Sequence, residues 1–270
     1  MTSHYLLCFL LIIPLQIQAE KEGDPAGANQ AGIGGVSVFA SGIWAAHNNP
    51  AGLAKIVQPI VGLFVENRFL MKELCYNAAS FAVPVANGGM AIAVSQVGSN
   101  QYNNVFAGFA YGRSFGERFS AGIRFDYYQV SYGNEYGKGS AVTFEAGIQW
   151  QINEKTGFAV SVFNPIKSQY QCSPPQEIPS LWRAGVAYKP ITDLQLLFQT
   201  EQSHRDGYTF RYGVEYSLND QVYLRAGYST NPSGISFGCG YSFSAFTIDI
   251  ATKWHQTLGF SPQGSLIYKL

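Results

Sequence analysis

The feature that most constrains this chain is a two-residue alternation of apolar and polar side chains, which recurs between residues 56 and 270. In one run, Tyr208 and Phe210 alternate with Thr209 and Arg211. A period of two is typical of a β-strand whose two faces meet different surroundings. Each run covers about ten residues, which is the length that a tilted strand needs to cross a bilayer. Beyond the N-terminal region, the sequence offers no stretch of ~20 apolar residues for a transmembrane helix.

Counting these runs predicts about fourteen strands, and an even number agrees with bacterial outer-membrane barrels. We therefore predict an all-β fold, a transmembrane antiparallel up-and-down β-barrel with a small N-terminal hatch. The predicted strands begin near the following residues: Ile56, Leu74, Gly89, Val105, Phe119, Ala141, Gly157, Leu181, Leu194, Tyr208, Val222, Ile235, Phe246 and Ser261.

The connections between the runs alternate in length, which supports the same topology. The short polar set comprises Asn87–Gly88, Gly116–Glu117, Asn153–Lys155, Thr192–Asp193, Asn219–Asp220 and Ser244–Ala245. The longer set comprises Asn67–Glu73, Gly98–Asn104, Tyr132–Gly139, Asn164–Ser180 and His255–Ser261. In bacterial outer-membrane barrels the short turns are periplasmic and the longer loops are extracellular. We therefore expect a protein of the Gram-negative outer membrane with its N-terminus on the periplasmic side.

A soluble β-sandwich is the alternative fold. It would bury Tyr208, Tyr212, Tyr216, Tyr228 and Tyr241 in a dry core, where each hydroxyl needs a hydrogen-bond partner. In a barrel, the same side chains can lie in the aromatic girdles at the membrane interfaces. Charged residues make up 13% of the chain, well below the roughly 25% of an ordinary soluble domain. Both observations favour a barrel that has outer-membrane lipid as its partner.

The N-terminal residues predict an export signal. Tyr5–Leu15 is apolar, and Ala19 follows directly before the charged residue Glu20. This run is too short to cross a bilayer as a helix and is typical of a signal peptide. We therefore divide the chain into a signal peptide (residues 1–19), a hatch segment (20–55) and an outer-membrane barrel (56–270).

Charge balance bears on what the lumen can do. The chain has 17 basic and 17 acidic residues, so a nucleic-acid-binding surface is not expected. Both signs occur on the predicted inner face, which favours an internally paired lumen over a charge-selective pore. We predict that this polar network comprises Arg124, Asp126, Glu145, Arg183, Glu201, Arg211, Glu215, Arg225, Asp249 and Lys253.

Catalytic and metal sites are not predicted. The sequence lacks the Gly-x-Ser-x-Gly, His-Glu-x-x-His and phosphate-loop motifs, and its histidines are scattered. The spacing of Cys75, Cys172 and Cys239 resembles no metal site, while a disulfide between Cys75 and Cys239 stays open. We therefore expect a protein that is not an enzyme and that needs no cofactor.

A short motif directly before the first predicted strand carries a family resemblance. After a Gly-rich stretch, the chain reads Asn49, Pro50, Ala51, Gly52 and Leu53. Pro50 forbids a helix that runs through it and biases Asn49 toward an extended backbone. This leader resembles that of the FadL-type outer-membrane superfamily, which contains hydrophobic-compound transporters and the PorV/PorQ-like proteins of type IX secretion. The resemblance implies that residues 49–53 belong to a hatch inside a fourteen-stranded barrel.

The last predicted strand carries a second resemblance. Its alternating apolar residues Leu266, Tyr268 and Leu270 are similar to the carboxy-terminal signal that the outer-membrane assembly machinery reads. The final residue of that signal is usually Phe, so Leu270 departs from the pattern.

Two functions remain open. We first expect a PorV/PorQ-like scaffold or accessory subunit of a secretion or outer-membrane assembly complex, with envelope proteins as partners. Short loops, a charge-balanced lumen and a modest chain length favour it. The low apolar content of the longest loop, Asn164–Ser180, counts against a capture site for a fatty acid. The alternative is a FadL-like transporter whose hatch gates the passage of a small or hydrophobic solute. Its partner would be a hydrophobic small-molecule ligand.

Overall fold

In this computed structural model, the described residues are 25–99, 101–133, 137–172 and 175–270. They form a closed antiparallel β-barrel of fourteen strands, which confirms the predicted barrel and its strand number. The predicted signal peptide, residues 1–19, lies outside the described residues.

The chain has sixteen strands within the described residues, and fourteen of them follow one another around the wall. They are β1 (Ile60–Asn67), β2 (Cys75–Val85), β3 (Gly88–Gly98), β4 (Tyr102–Phe115), β5 (Phe119–Tyr132), β6 (Lys138–Gln151), β7 (Thr156–Phe163), β8 (Gln169–Tyr170), β9 (Gln176–Glu177), β10 (Leu181–Ile191), β11 (Leu194–Ser203), β12 (Gly207–Ser217), β13 (Val222–Thr230), β14 (Ser233–Phe243), β15 (Phe246–His255) and β16 (Gly259–Lys269). β1 pairs with β16 and closes the barrel, while β8 and β9 form a separate two-stranded sheet.

Short helices precede and interrupt the strands. They are α1 (Ala28–Gly32) and the 3-10 helices Gly42–Ala46, Pro50–Lys55, Arg68–Leu70 and Lys72–Leu74. Within the described ranges, no helix combines the length and the apolar character that crossing a membrane requires.

The wall shows the alternation that the sequence predicts. In β12, Tyr208 is 61% exposed and Thr209 is 1% exposed, and Phe210 and Arg211 repeat the pattern. All five tyrosines that a sandwich would bury face outward and are exposed. An apolar outer face of this kind meets lipid in a transmembrane barrel, and the inner face meets the lumen.

The predicted strand positions agree closely with the structure except at the start of the wall. The predicted starts at Phe119, Leu181 and Leu194 are the observed starts. The first strand begins at Ile60 rather than at Ile56. Ile56 is buried because it packs against Gly89 inside the lumen, and alternation alone does not distinguish such a residue from a wall residue.

The connections at the two ends of the barrel differ in length less than the sequence predicts. We call the end with the turns at 116–118 and 244–245 the short-turn end, and the opposite end the loop end. At the loop end, residues 204–206 and 231–232 also make tight connections. The connection at residues 164–180 is the one that is clearly long.

This long connection is built into the wall at the loop end. Asn164 accepts a hydrogen bond from Thr143 Oγ1 at 2.7 Å, and its Nδ2 donates to the Ile178 carbonyl at 2.8 Å. The side chain of Tyr170 is buried, and its hydroxyl accepts a hydrogen bond from Asn104 Nδ2 at 3.0 Å. The connection therefore covers part of the lumen instead of extending away from the barrel.

Candidate functional site in the barrel lumen

The candidate site is the lumen itself, which residues 25–55 fill. We call these residues the luminal segment. Its first half, residues 25–41, packs α1 against β13 to β16 and places Ile33 on Gly213 of β12. Its second half, residues 42–55, packs against β1 to β6. The two halves therefore cover opposite arcs of the wall, and a gating role for the segment stays a prediction.

The Asn-Pro turn of the segment is fully buried. Asn49 has the extended backbone that Pro50 imposes, with φ of −144° and ψ of 106°. Its Oδ1 accepts a hydrogen bond from Ala51 N at 3.1 Å, and its Nδ2 donates to Val38 O at 2.7 Å. This caps the helix Pro50–Lys55, which contains the predicted hatch residues, and ties it to the first half of the segment.

Inward-facing glycines let the backbone of the luminal segment lie directly on the wall. A Cβ added to Gly122 would overlap the backbone of Pro50. In the opposite arc, a Cβ added to Gly227 would overlap the backbone of Gly34. The space that these glycines leave is thus occupied by the chain itself, and a side chain at either position would push the segment off a closely packed wall.

The charged side chains of β5, β6, β10, β11 and β12 form one continuous series of ion pairs, which we call the charge ladder. Its members, in order, are Asp126, Arg124, Glu145, Arg183, Glu201 and Arg211. Glu145 is completely buried and lies 2.9 Å from Arg124 Nη2 and 3.1 Å from Arg183 Nη1. Alternating signs give every buried charge an opposite neighbour, as a poorly hydrated interior requires.

The remaining predicted network residues lie elsewhere in the lumen. Arg225 lies 2.6 Å from Glu215 Oε2 and 2.6 Å from Asp249 Oδ1. Lys253 lies on the inner face of β15, beside Gly234. The structure thus brings the predicted charges into two groups and places Lys253 apart from the charge ladder.

The charge ladder also holds the luminal segment. Arg124 Nη1 donates to the Ala46 carbonyl at 3.0 Å, and Arg211 Nη1 donates to the Gly34 carbonyl at 3.3 Å. Because Gly34 and Ala46 belong to different halves, one arginine of the ladder fixes each half.

Two inward-facing glutamines, which were not among the predicted site residues, also hold the luminal segment through hydrogen bonds to its backbone. Gln199 Oε1 accepts hydrogen bonds from Ser37 N at 2.8 Å and Val38 N at 3.0 Å. Gln149 Nε2 donates to Val38 O at 3.2 Å and to Ala40 O at 2.9 Å. Their inward position in the alternation was the available signal, because an inward-facing glutamine needs a partner in the lumen.

The two halves of the segment meet along two seams. The bonded seam lies against β6 and comprises Val38, Ala40 and Asn49 with Gln149. The Trp44 seam lies on the other side, where α1 and the helix Gly42–Ala46 approach β16 and β1.

Aromatic rings line the Trp44 seam. The ring of Trp44 lies 5.9 Å from that of Phe64, which lies 5.4 Å from Tyr76. On the other side, Trp44 lies 6.2 Å from His47, which lies 5.6 Å from Phe106. These distances between ring centroids are typical of aromatic packing, so the seam is an aromatic patch within a largely polar lumen.

The structure adds little to the other predicted sites. Within the residues that it describes, no group of three or more His, Cys, Asp or Glu side chains could hold a metal ion. Cys75 lies on β2 and Cys239 on β14, and no disulfide joins them. Leu266, Tyr268 and Leu270 are exposed on the outside of β16 and just beyond it. Their role as an assembly signal stays a prediction.

Sequence comparisons find no relative, since no protein-family model and no curated protein matches the chain. Comparison with solved structures finds chains of similar fold. The Ralstonia pickettii toluene transporter TbuX is 11% identical with a TM-score of 0.66, over 90% of this chain and 97% of that one. The CymD monoaromatic hydrocarbon channel is 13% identical with a TM-score of 0.67, over 93% and 99%. A Pseudomonas aeruginosa FadL homologue is 15% identical with a TM-score of 0.63, over 89% and 98%.

At these identities the likeness shows the fold alone. It agrees with the FadL-type resemblance that the Asn49–Leu53 motif carries, and it gives no specific support to the PorV/PorQ branch. Two of the three similar structures are described as a transporter and a channel, and the third is described as a FadL homologue. This chain has the fold of the FadL-type outer-membrane channels.

Proposed function

We propose that this protein is an outer-membrane channel for small hydrophobic solutes and that the luminal segment gates it. The observation that carries the proposal is the fold, which is shared over about nine tenths of the chain with a toluene transporter and a monoaromatic hydrocarbon channel. This favours the transporter alternative over the scaffold that the short loops and the balanced charges suggest.

The packing of the lumen supports a gating role. Residues 25–55 occupy the space that a solute would cross, so the segment has to shift for transport. It is held by hydrogen bonds to side chains such as Gln149 and Gln199 and by arginines of the charge ladder. Such contacts can open locally without unfolding the strands of the wall.

A disulfide that locks the segment to the wall tests the proposal. A Cβ added to Gly32 would lie 3.2 Å from Gly238 Cα, and one added to Gly238 would lie 3.1 Å from Gly32 Cα. The two backbones are in contact here, closer than an ideal disulfide requires, so a bond between cysteines needs a small outward shift of the segment. We would combine Gly32→Cys with Gly238→Cys after replacing Cys75, Cys172 and Cys239 by Ser. We expect uptake of labelled toluene to stop under oxidation and to return after reduction.

The single variant Gly238→Cys in the same background is the matched control, and oxidation should leave its uptake unchanged. Undiminished uptake by the oxidised double variant contradicts gating by the luminal segment. Absence of toluene uptake by the unmodified protein, with stoichiometric recovery of other envelope proteins from mild detergent, would instead favour the scaffold.

A further inference from the structure

Several buried polar atoms around Trp44 lack a hydrogen-bond partner among the described residues. They are Asn29 Oδ1, Gln30 Oε1, Trp44 Nε1 and Ser80 Oγ. Native proteins pair most buried polar atoms, so a group of unpaired atoms indicates a hydrogen-bond partner that is not part of the chain.

The side chains that carry these atoms border the Trp44 ring. The Cβ position of Gly27 is 2.5 Å from Gln30 Oε1 and 2.8 Å from Trp44 Cδ1, the carbon beside the indole nitrogen. Ser80 is the cross-strand neighbour of Gly62, whose Cβ position is 3.3 Å from the Trp44 ring. All of them therefore border the Trp44 seam, where the two halves of the luminal segment meet.

The atoms offer both donors and acceptors to a neutral group. Trp44 Nε1 donates, the side-chain oxygens of Asn29 and Gln30 accept, and the Ser80 hydroxyl does either. Burial, with a smaller contribution from Arg124, lowers the pKa of His47 to about 3, so its ring is uncharged. A hydroxyl group, which both donates and accepts, is the smallest organic group that can use such a set.

The surroundings select a flat, uncharged molecule. Trp44, Phe64, Tyr76 and Phe106 present aromatic surface to the seam. The guanidinium of Arg124 lies 5.1 Å from the Phe106 ring, but its charge is met by Asp126 and Glu145. An unmatched anion or cation would therefore find no counter-charge here.

We propose that the Trp44 seam binds a small uncharged aromatic compound that carries a hydroxyl group, of the phenol class. The inference rests on the proposed channel function and deepens it, because the seam would be one binding site for the solute on its way through the lumen. The rings are already in contact, so binding requires the two halves to part by roughly the thickness of a ring, about 3.5 Å. Hydrogen bonds between Asn48 and the Ala26 backbone link the halves near this seam.

The test compares p-cresol with toluene, which differ by one hydroxyl group. Binding of each to the full-length protein in detergent would be measured by calorimetry. We expect p-cresol to bind about tenfold more tightly, as one additional hydrogen bond in a buried site allows. Trp44→Phe keeps an aromatic ring but removes the donor, and it should abolish most of this preference.

Trp182→Phe is the matched control, because Trp182 is 56% exposed on the outer face of the barrel, and it should leave the preference unchanged. Barrel formation in each variant would be checked by heat-dependent gel mobility. Should Trp44→Phe fail to fold, Ser80→Ala removes another polar atom of the seam and should also reduce the preference.

Equal affinity of the unmodified protein for p-cresol and toluene overturns the inference, since water then satisfies the polar atoms. If toluene still crosses the membrane in that case, the channel function stands and only the phenol class is wrong. If neither compound binds nor crosses, both proposals fail. Loss of the preference in Trp182→Phe would also overturn the assignment to the Trp44 seam.

Discussion

The two halves of the luminal segment are held together by different contacts at the bonded seam and at the Trp44 seam. At the bonded seam, Asn49 and Gln149 pair with backbone groups of the first half of the segment. At the Trp44 seam, packing is mainly aromatic, and polar atoms such as Trp44 Nε1 are unpaired within the described residues. Hydrogen-bonded polar groups, as in the bonded seam, contribute to stability. Unsatisfied polar groups, as in the Trp44 seam, are expected mainly at functional sites. The contrast separates what holds the segment from what could admit a solute.

The largest effect is expected from neutralising the centre of the charge ladder, whose arginines Arg124 and Arg211 hold the two halves of the luminal segment. Glu145→Gln leaves Arg124 and Arg183 sharing one carboxylate fewer in a buried site. We expect a loss of about 3 kcal/mol in the free energy of unfolding, because a buried charge loses its compensation. Urea titration in lipid vesicles, followed by tryptophan fluorescence, measures it. Glu177→Gln, at an exposed position of the long connection, should change stability by less than about 0.5 kcal/mol.

A glycine substitution tests whether the wall is shaped to the segment. Gly122→Ala places a Cβ in the backbone of Pro50, so we expect a cost of about 2 kcal/mol from overpacking. The segment should become accessible to added protease. Gly157→Ala, where the nearest atom to the added Cβ is 3.5 Å away, is the control. Equal protease sensitivity in the two variants would contradict direct seating of the segment on Gly122.

The Asn-Pro turn offers a finer test of the bonded seam. Asn49→Ala removes the cap on Ala51 N and the donor to Val38 O, and should cost about 1–2 kcal/mol. Hydrogen exchange at residues 51–55 should become faster. Asn49→Ser keeps an oxygen that can cap Ala51 N without burying a charge, and it should show a smaller increase. A Ser variant that exchanges as fast as the Ala variant would mean that the cap contributes little.

The smallest expected effect compares one substitution in two places. Ser236 Oγ accepts from Gly34 N at 2.9 Å and donates to Gly32 O at 3.2 Å, so Ser236→Ala should destabilise the segment by about 1 kcal/mol. Ser80 Oγ has no partner among the described residues, so Ser80→Ala should leave stability nearly unchanged. Thermal melting of both variants in detergent provides the measurement. A larger loss of stability in Ser80→Ala than in Ser236→Ala would contradict the contrast between hydrogen-bonded contacts of the segment and the unpaired atoms at the Trp44 seam.

The wall was predictable because alternation is a local property of a strand. It located the starts at Phe119 and Leu181 and put Arg124 and Glu145 on the inner face. Arg124 and Glu145 are direct cross-strand partners. Their ion pair can therefore be predicted once the connection between β5 and β6 is known. The pair of Glu145 with Arg183 crosses over β7 and depends on the tilt of three strands.

The site inside the wall was less predictable, because it is made by distant contacts. The hydrogen bond between Gly34 and Ser236 joins residues 202 positions apart. A sequence pattern shows that Gly227 faces inward, but not that it lies beneath Gly34. The hatch was predicted from the Asn49–Leu53 motif, but the packing of Trp44 against Phe64 of β1 was not, because these two residues meet only in the folded lumen.

The closing pair of strands also connects the luminal segment to the closure of the wall. β1 pairs with β16 from Ile60–Lys269 to Glu66–Gln263, and only residues 56–59 separate the luminal segment from β1. A segment that is already docked on the wall restricts where β1 can move, which reduces the entropy that β1 loses when it pairs with β16. Contacts inside the lumen can therefore contribute to closing the barrel as well as to filling it.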